Sequence, residues 1–459
     1  MSLKGVFKQT TEERLKLITE GDLKKAFIFI ALPGILMVMI KSAAPLLDGL
    51  IIYRFDDEVG GAAISYANSL NNIINMGIFA LGIAGSAIIG NFNGGGDRKK
   101  ALDYTGQLIG IVILISLIAI PFVLLATYGM TYNFDDLDLK RKVIQYICFT
   151  AISIPFLTIQ VVYSSVKSVF GKPEIALYRT LLYVPIKLFC SFMYIIVFKL
   201  GVIGAGLSTL TSSFIVSLFV VYDMFLKKDE DRLEFKQLIP KKFSSKIILL
   251  KAWPLMLQDS LKSLSFFLIR FELAKYGTMA LSAGGIASDI NMLFSSFLSC
   301  FSSAIIAFVS VNIGSNNRER AIESSRFALQ LGVSIAIIST IIANIFTPQI
   351  VALYTDDVEL ARAAIQATRL YSSAFIGFAV MFNISPTFNA LGQNKITLFI
   401  QLIRIWVVRL FVLYLLYFLF EDIGFIAVYI SLSIANNVGG ILSYIFYKKI
   451  NWKLVSKNM

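Results

Sequence analysis

The chain has 459 residues, of which 57% are hydrophobic and 15% charged, and its mean hydropathy is +0.74. Charged residues alone make up about a quarter of soluble chains, so an ordinary soluble domain is excluded and an integral membrane protein is expected. The net charge of +13 lies mainly between apolar runs, where the positive-inside rule puts it, so it is not read as a nucleic-acid footprint.

The first two dozen residues are polar and lack an apolar core, so no cleavable signal peptide is expected and the N-terminus is expected in the cytoplasm. Apolar runs long enough to cross about 30 Å of hydrocarbon then follow one another to the end of the chain. They predict twelve spans, at 26–53, 61–92, 106–129, 143–168, 176–198, 202–226, 247–274, 279–312, 325–346, 361–389, 397–420 and 423–447. Runs such as "LIGIVILISLIAIPFVLLA" are continuously apolar rather than alternating, which favours helices over a β-barrel. The loops carrying most Lys and Arg, among them "GGGDRKKALD", "KKDEDRLEFKQLIPKKFSSK" and "SNNRERAIESSR", alternate with acidic or mixed ones. Both termini are therefore expected inside. Cys148, Cys190 and Cys300 lie far apart within apolar runs and read as small hydrophobes.

The halves of the chain resemble each other. "LPGILMVMIKS" pairs with "WPLMLQDSLKS", so that Pro33 matches Pro254 and Lys41 matches Lys262. "GGGDRKKA" pairs with "GSNNRERA", "FGKPEIALY" with "LGQNKITLF", and the Gly204 region with Gly424. These matches keep one order at an offset of about 220, the mark of a duplicated six-helix unit. The expected organisation is an N-lobe over 1–226, a basic linker over 227–246 and a C-lobe over 247–459. Six helices per copy is the parallel-repeat plan of secondary transporters.

Histidine is absent, which removes Ser-His-Asp and Cys-His nucleophile systems and HExxH metal sites, and no GxxxxGK[ST] loop is present. An enzyme or an ATP-driven pump is therefore not expected of this chain alone. "LITEGDLKKAFIFIALPGIL", "LLDGLII", "NFNGGGDRKKA" and "NIGSNNRERA", with "FGKPEIALY" and "LGQNKITLF", resemble the multidrug and toxin extrusion family of the MOP flippase superfamily along essentially the whole chain. The resemblance implies a V-shaped alternating-access bundle of twelve helices in two lobes and proton- or sodium-driven export of organic compounds, often cationic. Related flippases move lipid-linked sugars. No cofactor is expected beyond H+ or Na+ as a coupling ion.

An ionisable group near the bilayer centre costs about 2.5–3.5 kcal/mol on insertion scales and normally faces a cavity or a partner. Lys41 and Asp48 are seven residues apart, so on a helix both face one way, about 10 Å apart along its axis. Asp48 occupies the place where one branch of the family has a cation-binding aspartate, which makes it the leading coupling candidate; pairing with Lys41 or Lys187 is the structural alternative. That branch also has an Asn and an Asp on the fifth helix, where this chain has Lys187 and Ser191. By this likeness Lys187 is a tethered cation beside Asp48. Another branch has a glutamate on the seventh helix where this chain has Lys262, three residues after Asp259.

Asp289, behind "AGGIAS", either bonds across helices or lines the C-lobe cavity, whereas Glu272 and Arg270 read as a solvated helix end. Arg404 and Arg409 flank Trp406; Arg404 reads as an anchor at the helix end, and Arg409 lies deeper and needs a carboxylate or a cavity. Asn68, Asn72 and Asn75 fall on one face of the second span, and with Tyr163 and Asn383 they either glue helices or line a path. The interior bases Lys41, Lys187, Lys262 and Arg409 rival the acids Asp48, Asp259 and Asp289, a balance that suits an anionic or zwitterionic substrate. The expected protein is a monomeric secondary transporter of a small-molecule substrate in the cell membrane. The alternatives are a transporter or flippase for an anionic metabolite or lipid-linked precursor, and a non-transporting scaffold.

Overall fold

A computed structural model describes residues 11–37, 58–131, 137–228, 230–420 and 423–452, and every element among them is helical. In chain order these are α1 (Thr11–Thr19), α2 (23–37), α3 (Glu58–Gly94), α4 (Arg98–Met130), α5 (Leu137–Val169), α6 (Pro173–Ser191) and α7 (Gly201–Val221). There follow α8 (Lys242–Ala274), α9 (Gly277–Ser299), α10 (Ser302–Gly314), α11 (Arg318–Val351), α12 (Val358–Ser372), α13 (Phe375–Ala390), α14 (Asn394–Leu402), α15 (Leu410–Leu419) and α16 (Ile426–Lys448). Wider π-helical turns extend α6 over Phe192–Val197 and α7 over Tyr222–Leu226, and another joins α14 to α15 over Ile403–Arg409.

Eight described helical stretches are long and apolar enough to cross a membrane. With α2, α3, α8 and the pair α12–α13, they account for the twelve expected spans. Outward-facing Leu114, Leu117, Ile118, Phe122 and Leu125 on α4 form an apolar surface suited to lipid. Two spans expected to be continuous are each interrupted by a turn, at Cys300–Phe301 and at Ser373–Ala374. Near both breaks short side chains bond back to the helix: Cys300 Sγ to Phe297 O, Ser372 Oγ to Arg369 O and Ser373 Oγ to Leu370 O. Such bonds compete with the backbone ladder.

The repeated motifs are turn chemistry. Asp97 and Asn317, at matching places in the two copies, both cap a helix by accepting from the N–H three residues on. The residue before each, Gly96 or Asn316, has φ of 78° or 60°, a conformation that glycine and asparagine adopt at least cost. Gly171 and Gly392, with φ of 74° and 68°, end α5 and α13 in the same way.

The chain divides into two compact units, one up to Met256 and one from Leu257. The division falls just after Pro254 within α8. Part of the basic linker expected over 227–246 is seated on α4: a Cβ on Gly110 would collide with Leu238 O, and one on Gly106 would lie 2.5 Å from Gln237 Cβ. Gln237 Nε2 donates to Asp103 Oδ1 (3.0 Å), and the Lys241 N–H donates to Gln107 Oε1 (3.2 Å).

In the first unit α5 packs against α3, α4 and α7 around Ala67, Tyr146, Ile154 and Ala205. In the second, α13 packs against α11 and α16. Small residues bring the backbones together there, since a Cβ on Gly377 would meet Asn436 O at 2.6 Å and one on Gly440 would meet Gly377 O at 2.7 Å.

Candidate functional site

Among the expected site residues, Lys41 and Asp48 lie outside the described residues, as do the side chains of Asn68, Asn72, Asn75 and Arg270. Lys187, on α6, is 4% exposed. Its Nζ donates to Ser208 Oγ (2.8 Å), to Thr209 Oγ1 and to Ala205 O (3.5 Å), all on α7. Ser191 joins the same group by donating to Ser208 Oγ at 3.0 Å. The structure thus brings Lys187 and Ser191 together in a cage of hydroxyl and carbonyl oxygens.

Tyr163 has a structural partner that its own span does not suggest. Its hydroxyl donates to Asp223 Oδ2 at 3.0 Å, while Arg179 grips the same carboxylate through Nε and Nη2 at 2.7 and 2.9 Å. Nearby, Asp231 accepts ion pairs from Arg98 (2.7 Å), Lys172 (3.2 Å) and Lys167 (3.4 Å). Burial works against the charge on Asp231, but the three cations outweigh it and hold the carboxyl below its ordinary range. Arg14 is 1% exposed and pairs with Glu174 at 2.7 Å; burial pushes the guanidinium below its ordinary value although Glu174 opposes the change.

The second unit is different. Arg404 and Arg409 are 3% and 6% exposed. Arg404 Nη1 donates to Asn436 Oδ1 and Arg409 Nη1 to Ser265 Oγ, and both Nε atoms are buried without a hydrogen-bond partner. Tyr371 lies within electrostatic range of both guanidiniums. Among the described residues, neither arginine has a carboxylate within ion-pair distance. A Cβ at Gly439 would lie 2.6 Å from Arg404 Cδ, so glycine there leaves the arginine its place.

The π turn explains why both guanidiniums are buried. On a helix of about 3.6 residues per turn, residues five apart point about 140° away from each other. With i→i+5 bonding the turn is wider, and the same two residues come round toward one face of the helix.

Arg409 lines a cavity of about 110 Å³ with Ser265, Leu268, Trp406, Leu413 and Ser431. Glu272, expected at a solvated helix end, is buried and lines the same cavity, with both of its oxygens held by Lys275 at 2.8 and 2.9 Å. The reason is its register: Ser265, Leu268, Ile269 and Glu272 recur at helical spacing and share one face of α8. Arg404, expected as an anchor at the helix end, is instead buried behind Asn436.

Lys262 and Asp259 are half-buried, and Lys262 senses the charges of Asp259 and Arg404. Asp289 is exposed and does not line the cavity. Asn383 is buried, with Nδ2 on Ala379 O at 2.8 Å, in a close approach that Gly332 permits. Ser265, Glu272, Tyr371 and Asn436 were not singled out as site residues from the sequence; the face shared by Ser265 and Glu272 was the available signal.

A multi-pass helical bundle with polar groups buried among membrane-spanning helices has the architecture of a membrane transporter. The MatE family model matches residues 33–195 and 254–415, starting at the two prolines paired in the internal repeat. The chain belongs to the MatE family and, like its relatives, is a transporter rather than an enzyme.

The chain is 22% identical to the "Multidrug export protein MepA" of Staphylococcus haemolyticus over 84% of its own length and 85% of that protein. It is 24% identical to the "Probable multidrug resistance protein NorM" of Halalkalibacterium halodurans over 70% and 72%. Among solved structures it resembles one described as "Reverse polarity of binding pocket suggests different function of a MOP superfamily transporter from Pyrococcus furiosus" (TM-score 0.90, 19% identity, 98% of this chain and 100% of that one). It also resembles a MATE structure in the bent conformation (TM-score 0.89, 19% identity, 98% and 99%).

Proposed function

We propose that this protein is a secondary active transporter that exports a small organic compound across the cell membrane in exchange for H+ or Na+. It works as a monomer with both termini in the cytoplasm and needs no cofactor beyond the coupling ion. Family membership supports transport, and the relatives named for multidrug export and resistance support the outward direction. Asp48 is the coupling carboxylate, with the Lys187–Ser191 cage as the neighbouring cation site. Lys41, Asn68, Asn72, Asn75, Asp259, Lys262 and Arg409 are the polar groups offered to substrate; Tyr163, held by Asp223, and Asn383 take a packing role.

The substrate carries negative charge. The observation that favours this reading is the burial of Arg404 and Arg409 on neutral oxygens, because a lipophilic cation entering beside them would meet repulsion in a low dielectric. An anionic metabolite and a lipid-linked precursor both satisfy it.

The test is reconstitution into liposomes with an imposed pH or sodium gradient, with carboxyfluorescein and ethidium as anionic and cationic probes. Gradient-driven flux of the anion, lost in Asp48→Asn, is the expected result. Absence of gradient-linked flux of either probe would overturn coupled transport, and flux of ethidium alone would overturn the charge assignment.

A further inference from the structure

A guanidinium carries five N–H donors, and its Nε–Nη2 edge is the planar fork that fits both oxygens of a carboxylate. Arg179 uses that edge on Asp223. Arg409 does not: its Nη1 is taken by Ser265 Oγ, its Nε is buried without a partner, and no bond from Nη2 to the protein is present among the described residues. The Trp406 indole N–H, in the wall of the same cavity, is also buried without an acceptor. Two residues of the lining, Arg409 and Trp406, therefore carry unfilled donors, one of them charged.

Burying a cation without an anion is costly, and a ligand that brings the anion removes the cost. The carboxylate in the lining, Glu272, is paired with Lys275 through both oxygens, which offsets its repulsion of an anion. The rest of the lining is mostly apolar or aromatic, with Leu268, Leu413, Tyr414 and Trp406 alongside the hydroxyls of Ser265 and Ser431. A single free fork and a dry wall suit a carboxylate on a hydrophobic body, whereas a phosphate dianion would need more donors than this cavity supplies.

Resting on the reading of the chain as a transporter, we propose that this cavity is a binding subsite for a small aromatic carboxylate. Its oxygens take the Nε–Nη2 edge of Arg409 and the Trp406 N–H, and its ring lies along Leu268 and Leu413.

The experiment uses the full chain in detergent with Trp253 and Trp452 changed to Phe, so that Trp406 alone reports. Sodium benzoate is titrated against benzamide, its neutral counterpart, and benzylamine, its cationic one. Benzoate is expected to change Trp406 emission saturably, with the other two at least about tenfold weaker, the loss of one charge-assisted pair. Arg409→Gln should weaken benzoate by at least about tenfold while melting as a folded protein, and Arg409→Lys should recover only part of the affinity because it lacks the fork.

The proposal is overturned if benzoate does not bind, if benzamide binds as well, or if Arg409→Gln leaves the benzoate curve in place. No ion gradient enters the measurement. Failure of coupled flux therefore leaves this inference standing, and flux without benzoate binding removes the subsite but not the transporter.

Discussion

The two units bury cations in different ways. In the first, the buried Arg14, Lys167 and Lys172 and the partly exposed Arg179 end on carboxylates, those of Glu174, Asp223 and Asp231, and Lys187 alone of those described above ends on hydroxyl and carbonyl oxygens. In the second, Arg404 and Arg409 are as deeply buried and end on an amide and a hydroxyl. Apart from Lys187, the internal charge described in the first unit is thus consumed in holding helices and linker together, while the two arginines of the second stay available to something that enters. A count of interior bases does not separate the two situations; only the partners do.

The largest effect that could break this comparison comes from Asp223→Ala, which strands both Arg179 and Tyr163. It is expected to destabilise the first unit by roughly 3 kcal/mol, the low end for breaking a buried pair because Arg179 is partly exposed. Chemical denaturation of the detergent-solubilised protein measures it, and a cost below about 1 kcal/mol, the level of a surface pair, would mean that these charges are not structural.

Next comes the Asp231 cluster. Its carboxyl is held below the ordinary range, so its stabilisation is complete above the unfolded-state value of about 3.9 and is lost as pH falls through the lower folded value. The melting temperatures of the wild type and Asp231→Asn should therefore differ at neutral pH and converge in strong acid; a constant difference over that range would contradict the assignment.

A smaller effect tests the likeness of the units. Asp97→Ala and Asn317→Ala remove matching helix caps and should each cost about 1 kcal/mol. Unequal costs, read by thermal unfolding of each variant, would show that the duplicated turns have diverged in their load.

Smallest in stability is Arg409→Gln, expected within about 0.5 kcal/mol of the wild type or slightly stabilising without ligand, because it removes a buried charge that no carboxylate matches. A loss comparable to that of Asp223→Ala would reveal a partner for Arg409 in the folded protein.

Much of the fold was legible in the sequence because apolar run length and turn residues act locally. "GGGDRKKA" and "GSNNRERA" encode a left-handed residue followed by a cap, and the structure forms both turns. The site was less legible, because ion pairing is set between distant parts of the chain. Tyr163 read either as glue between helices or as part of a path, and its partner Asp223 lies 60 residues on. Glu272 read as a helix end because proximity to a span boundary says nothing about which face a neighbour covers. Arg404 was misplaced for a further reason: spacing arguments assume 3.6 residues per turn, and the segment from Ile403 to Arg409 does not obey it.

That wider turn has a consequence for how the pocket can be altered. The positions of Arg404, Trp406 and Arg409 relative to one another depend on the number of residues in the segment as much as on their kinds. Removing a single aliphatic residue between Arg404 and Arg409 would let the helix close to its ordinary pitch with the two guanidiniums four residues and about 40° apart, still on one face, whereas at the present length an ordinary pitch would set them about 140° apart. A deletion scan would thus find shortening by one residue better tolerated in this segment than in the regular helices on either side of it.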